Sequence, residues 1–172
     1  TTENETTKAN VKNCFASGNI NVVDGYNKNE TKSNLIVGGI AGENAQDSII
    51  SGEFNIYDNK NEIFNKNIFN VTLNLSSILN GELSAYSQDS AFGGIVGLNN
   101  GTVTNMACYG KIFAYQNVGG IAGINNGTVG GEENTKSLGC FSASIIYANN
   151  VAGGLIGKNT GVVNYNSVML VD

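Results

Sequence analysis

The thiols of Cys14, Cys108 and Cys140, the carboxylates of Asp24, Asp47, Asp58, Asp89 and Asp172, and several tyrosines are the side chains here with most chemistry to offer. Histidine is absent, which removes Ser-His-Asp and Cys-His catalysis and the usual zinc ligand sets. The cysteines lack a C-x-x-C spacing, and a thiol with no neighbouring base is a poor nucleophile. Paired carboxylates can cleave a glycan without histidine. The aspartates are scattered over loop-like stretches, so only the fold could bring two of them together. A calcium array of the G-G-x-G-x-D kind needs an aspartate in every turn, whereas the glycine turns here carry asparagine, threonine or lysine. Glu132 and Glu133 leave room for a single calcium site at most. The expectation is a chain with no catalytic residue, no metal ligand and no cofactor.

Four tyrosines recur at one place in the pattern: Tyr57, Tyr86, Tyr115 and Tyr147 close the stretches FNIY, LSAY, FAY and IIY. Facing outward, they form a stripe suited to sugar rings or a protein partner; facing inward, they close the edge of the core. Both placements fit the sequence, and the outward stripe is the candidate binding surface. Nine positive charges against 14 negative give a net charge of −5, and every positive residue is a lysine. Without a basic patch or an arginine fork, nucleic acid is excluded as a partner.

The elements that must hold these residues are set by a repeat. VGGIAGINNGTVGG, from Val118, could pass for a phosphate-cradling loop, but it has three relatives: VGGIAGENAQDSI from Val37, FGGIVGLNNGTV from Phe92 and AGGLIGKNTGVV from Ala152. A nucleotide fingerprint occurs once between a strand and a helix, whereas this pattern recurs and runs on into β-prone sequence. A second half-motif appears as NCFASGNI from Asn13, ACYGKI from Ala107 and GCFSASI from Gly139. The Gly-Gly pairs begin at Gly38, Gly93, Gly119 and Gly153, giving spacings of 55, 26 and 34 residues. The longest is read as two repeats with a degraded middle copy through IFNVTLNL, Ile68 to Leu75, taken as a strand. The excess in the 34-residue spacing, GGEENTK from Gly130, reads as a surface loop.

A unit of about 26 residues cannot bury its own apolar face and must stack on its neighbours. The fold class expected is all-β: a parallel β-solenoid or β-helix of about five degenerate repeats with loop insertions. Length sets a single domain over residues 1–172, with a partial repeat and loop at 1–34 and repeats over 35–172, read as a segment of a longer array. Ile40, Ile95, Ile121 and Leu155 should form one inward column, and Val103, Val129 and Val163 a second. Cys14, Cys108 and Cys140 are placed in a third as free thiols. Small residues are expected where adjacent coils approach, with Gly119 and Gly120 serving that close approach; glycine is also expected at corners for its positive φ, and asparagine for left-handed turns and amide ladders.

The pattern G-G-[IL]-x-G-x-N-x-G-x-[VI], with its following half-motif, resembles the GLUG-motif repeats of bacterial cell-surface and secreted proteins, among them adhesins and the non-catalytic parts of IgA-specific peptidases. The resemblance covers most of Val37 to Leu170. It implies a non-enzymatic, extracellular or cell-surface module for adhesion or display, whose partner is a protein or glycan of a host or neighbouring cell. The alternatives are a β-helix enzyme acting on polysaccharide and an accessory region of a secreted peptidase. No run of residues is apolar enough to insert in a membrane. Exposed strand edges at either end would allow end-to-end self-association.

Overall fold

A computed structural model of the chain describes residues 8–14, 16–22, 34–52, 54–56, 63–65, 68–75, 88–131, 139–164 and 168–169. These residues form 22 β-strands, numbered along the chain, and no helix. Four parallel sheets run along the stack, each built from one strand, or one divided strand, per rung. The diglycine sheet holds β3 (Ile36–Gly38), β9 (Ala91–Gly93), β14 (Val118–Gly119) and β19 (Ala152–Gly153). The ladder sheet holds β4 (Ala41–Asn44), β10 (Val96–Asn99), β15 (Ala122–Asn125) and β20 (Ile156–Asn159). The valine sheet holds β1 (Asn10–Lys12), β5 (Ile49–Ser51), β11 (Thr102–Thr104), β16 (Thr128–Val129) and β21 (Val162–Val163). The fourth, here the broad sheet, holds β2 (Ala16–Val22), β8 (Ile68–Leu75), β12 (Ala107–Cys108), β13 (Lys111–Ala114), β17 (Phe141–Ser142), β18 (Ile145–Ala148) and β22 (Val168–Met169). Apart from these, β6 (Phe54–Ile56) and β7 (Ile63–Asn65) form an antiparallel pair. The chain is therefore a parallel β-solenoid.

Register is exact in the motif. Asn44, Asn99, Asn125 and Asn159 are successive partners in the ladder sheet. Val11, Ile50, Val103, Val129 and Val163 line up in the valine sheet. Ile40, Ile95, Ile121 and Leu155 stack through N–H···O bonds of 2.9, 3.1 and 2.9 Å at the bend between the diglycine and ladder sheets. The last two columns share one core cluster except at Val163, which is 44% exposed on the last valine-sheet strand, and both are apolar throughout because each inner side chain meets its own equivalent above and below. A second cluster, around Leu73, Phe92, Ile112 and Val118, lies between the broad and diglycine sheets.

The 55-residue spacing is one rung rather than two. β4 pairs directly with β10, and β5 with β11, so nothing stands between the first and second Gly-Gly coils in those sheets. The strand read at Ile68–Leu75 is present as β8, but it is the broad-sheet strand of the first full rung. The extra length lies in residues 52–67 and 76–90, at the two corners on either side of it. The partial rung at β1 and β2 brings the valine and broad sheets to five rungs.

Asparagine supplies the most regular polar feature. The Asn44 amide Nδ2 donates to Asn99 Oδ1 at 2.8 Å, Asn99 to Asn125 at 2.7 Å and Asn125 to Asn159 at 2.8 Å. The remaining amide hydrogen caps a backbone carbonyl of the next rung, from Asn44 to Thr102 at 3.2 Å and from Asn99 to Thr128 at 3.1 Å. Buried polar groups are costly unless paired, and here Asn44, Asn99 and Asn125 are buried and paired through the stack. A second, exposed ladder runs beside it: Asn100 donates to Glu43 at 2.9 Å, Asn126 to Asn100 at 2.9 Å, and Thr160 to Asn126 at 2.6 Å.

Glycine takes both of its expected roles, at different positions. Among the described residues, positive φ at corners is held by Asn13, Asp47, Asn105 and Asn117, with φ of 54, 62, 54 and 47°, and by Gly130 and Gly139, while Gly18, with φ of 149°, lies within β2. The motif glycines do not have positive φ and serve the close approach expected of them. A Cβ on Gly94 would fall on the Cys108 sulfur, and one on Gly120 on the Ser142 hydroxyl, so these positions let opposite walls of the coil touch. The cysteines do not form one column. Cys108 pairs with Ser142 and lies level with Ala16, because both pair with Phe69. Counting back along the same register, Cys14 and Cys140 belong to the level of Met106, two residues away. All three thiols are free.

Candidate functional site

The broad sheet alternates strictly where it is deepest. Leu73 and Ile112 are fully buried, and with Ile20 and Ile146 they form its inward column. Residues one position to either side must then face outward. On β13 and β18 these are Lys111 and Phe113, and Ile145 and Tyr147, paired in register as Lys111 with Ile145 and Phe113 with Tyr147. Ile145 and Tyr147 are 52% and 61% exposed, the two most exposed large apolar side chains among the described residues. The Phe113 and Tyr147 rings stack with centroids 5.0 Å apart and planes inclined by 6°. On the same two rungs Tyr109 and Phe141 make a second pair at 5.3 Å and 49°. Partial burial raises the Tyr109 phenol above its ordinary value, so at neutral pH it keeps its proton and can donate a hydrogen bond.

The chain's variable lengths border this sheet. The corner between the ladder and valine sheets takes residues 45–48 in one rung and only 100–101, 126–127 and 160–161 in the others, and the diglycine bend is two residues in every rung. By contrast, residues 52–67 and 130–140 separate valine-sheet from broad-sheet strands, and residues 23–35 and 76–90 separate broad-sheet from diglycine strands. Insertions in repeat proteins collect on the face that is used, because a loop there does not disturb the stack. Each of these four intervals begins or ends at a broad-sheet strand among the described residues.

The sequence-predicted stripe maps only partly onto this face. Tyr147 lies on it, but beside Phe113. Tyr115 follows β13 at the corner, half-buried, its carbonyl accepting from the backbone N–H groups of Asn149 and Asn150 at 3.1 and 3.0 Å. Tyr57 and Tyr86 lie outside the described residues. Phe113, Tyr109, Phe141 and Ile145 were not singled out by sequence, although the alternation in KIFA and IIYA marks Phe113 and Ile145 as outward once Ile112 and Ile146 are known to be core.

The other candidates have placements of their own. Glu43 accepts the Asn100 bond in the exposed ladder and Asp47 sits at a left-handed corner. Asp24, Asp58, Asp172, Glu132 and Glu133 lie outside the described residues. Among the described residues no group of three or more His, Cys, Asp or Glu side chains could hold a metal ion. Burial pushes the Cys108 thiol up to about 11 against a hydrogen bond involving Ser144, and Cys140 up to about 12 against bonds from the Met106 and Gly130 backbone. Both thiols are therefore protonated at neutral pH and shielded from reagents. The glycine stretch from Val118 is built into the stack: Val118, Ile121, Ala122 and Asn125 are fully buried, and Gly119 and Gly120 abut the next rung and the opposite wall. No helix among the described residues is long and apolar enough to cross a membrane. Comparison with protein-family models, with curated proteins and with solved structures finds no match, so the broad sheet is read from its own geometry.

Proposed function

We propose that this chain is a non-enzymatic, extracellular repeat module for adhesion or display, of GLUG-motif type, whose working face is the outer surface of the broad sheet. The observation that carries the reading is the aromatic cluster on that face, Tyr109 with Phe141 and Phe113 with Tyr147, whose two tyrosines are exposed and whose two phenylalanines are half-buried; the other large apolar side chains left exposed among the described residues, apart from Ile145 on the same face, are aliphatic ones of the valine sheet, Ile49, Val162 and Val163. Exposed aromatic and aliphatic side chains gathered on one surface mark an interaction site. The solenoid supplies rigidity and reach, with each rung held to the next by backbone ladders and by buried asparagine. The absence of histidine and the high pKa of the buried thiols support a role in binding over a role in catalysis.

Beads coated with the chain are expected to be retained on surfaces coated with mucin or cell-wall polysaccharide, and beads carrying Tyr109→Ser with Tyr147→Ser to wash off. Retention unaffected by the double substitution, or no retention of either protein, would overturn the assignment. New reducing ends released from a polysaccharide by the chain would instead favour a glycan-cleaving enzyme.

A further inference from the structure

The broad sheet also specifies the chemistry of what it holds; this step rests on reading that sheet as the binding face. Successive rungs bring Asn21, Asn74, Phe113 and Tyr147 to one register position, and Asn19, Thr72, Lys111 and Ile145 to the position two residues earlier. The same surface thus passes from Asn19, Asn21 and Thr72 at one end to aromatic and aliphatic groups at the other. Asn19 and Asn21 are exposed, flanking the inward Ile20. Phe113 covers one face of the Tyr147 ring, and the 61% exposure that remains leaves its other face and edge open.

A pyranose ring has a face of C–H groups that lies flat on an aromatic ring, and a rim of hydroxyls that both donate to and accept from amides. The broad sheet offers those two surfaces in sequence along the stack. From the Tyr147 rung to the Asn21 rung is three strand spacings, roughly 14 Å, which spans a short oligosaccharide and exceeds a single sugar. Lys111 is the only charged residue at these eight positions, and the chain as a whole carries a net charge of −5. An anionic glycan or nucleic acid would meet a single counter-charge within an overall repulsive field. An extended peptide is recognised chiefly through the free backbone of a strand edge, and this surface presents side chains. We propose that the broad sheet binds an uncharged glycan chain lying along the solenoid axis, with a sugar stacked on Tyr147 and hydroxyls further along taken by Asn19 and Asn21.

The test is calorimetric titration of the 172-residue chain with neutral hexasaccharides of β-1,4-linked glucose, β-1,4-linked N-acetylglucosamine and α-1,6-linked mannose, with a hyaluronan hexasaccharide as the acidic counterpart. At least one neutral hexamer should bind with an affinity unchanged by a tenfold rise in salt, and its monosaccharide should bind far more weakly. Tyr147→Ala should weaken binding about tenfold or more, and Asn21→Ala by a smaller factor. Thr128→Ala, on the valine sheet, should leave it unchanged. Binding of hyaluronan alone, or of no hexamer while coated beads still adhere through the broad sheet, would overturn the neutral-glycan proposal and spare the face. Neutral-glycan binding that survives Tyr147→Ala together with Tyr109→Ala would overturn both.

Discussion

Asn99→Ala isolates what the buried amide ladder contributes. The Asn99 side chain is fully buried and makes three hydrogen bonds, accepting from Asn44 at 2.8 Å and donating to Asn125 at 2.7 Å and to the Thr128 carbonyl at 3.1 Å. Alanine removes all three. It strands the Asn125 oxygen and one Asn44 hydrogen in the interior, where each unsatisfied group costs about 1–3 kcal/mol, and it leaves a small cavity. The sum is about 3–5 kcal/mol, a large part of the 5–15 kcal/mol typical of a folded domain. Asn159→Ala is the control. That residue is exposed, its oxygen accepts from Asn125 at 2.8 Å, and its amide reaches the Gly161 carbonyl at 3.2 Å, where water can replace it. Its loss should cost about 1 kcal/mol or less. Urea unfolding followed by far-ultraviolet circular dichroism reads the difference. With a slope of about 2 kcal/mol per molar urea, Asn99→Ala should lower the midpoint by about 2 M and Asn159→Ala by less than about 0.5 M. Equal shifts for the two variants would refute the claim that burial of a paired amide, and not the amide itself, makes the ladder matter.

Gly120→Ala should prevent the rung from closing, because the added Cβ would occupy the space of the Ser142 hydroxyl and lie 2.5 Å from the Gly154 carbonyl oxygen; Gly42→Ala, whose Cβ meets the Ile36 oxygen at 3.0 Å, should be far milder when thermal midpoints are compared. At Asn13, with φ of 54°, Asn13→Gly should be close to neutral and Asn13→Ala should cost about 1 kcal/mol in the same unfolding assay. Cys14, half-buried, should react with a thiol reagent in the native chain, while Cys108 and Cys140 react only on unfolding. Because burial raises those two thiols from 9.0 to about 11 and about 12, the unfolded chain loses their protons first. Their contribution is fully present below about pH 9 and should fall away between pH 9 and 12, by a few kcal/mol in all, a loss that Cys108→Ala with Cys140→Ala should reduce.

The repeating part of the fold was open to sequence reading because stacking forces equivalent residues to meet one another. A column of Ile40, Ile95, Ile121 and Leu155, or of Asn44, Asn99, Asn125 and Asn159, is visible as a pattern because it is a set of contacts. Spacing is less informative, since a long corner and a lost repeat lengthen the chain alike. Only the pairing of β4 with β10 shows that the 55-residue interval holds one rung. The half-motif misled in a related way. ACYGKI has three residues between its cysteine and Ile112, where five separate Cys14 from Ile20 and Cys140 from Ile146, and the register follows Ile112 and Ile146, the larger core side chains, so Met106 takes the level of Cys14 and Cys140. The same shift puts Phe113, and not Tyr115, beside Tyr147. The binding face was thus legible as a strand with aromatic residues but not as a set of neighbours, because side-to-side contacts depend on register, which a two-residue slip in a corner resets.

Rung order decides both the continuity of the broad sheet and the corners from which the insertions leave it, and side-chain amide contacts measure that order directly. In a nuclear Overhauser spectrum of the isotopically labelled chain, the account predicts cross-peaks between the amide groups of Asn44 and Asn99, Asn99 and Asn125, and Asn125 and Asn159. Contact of the Asn99 amide with residues 68–75 in place of Asn44 would insert a separate coil between the first two, and would contradict the arrangement on which the binding face depends.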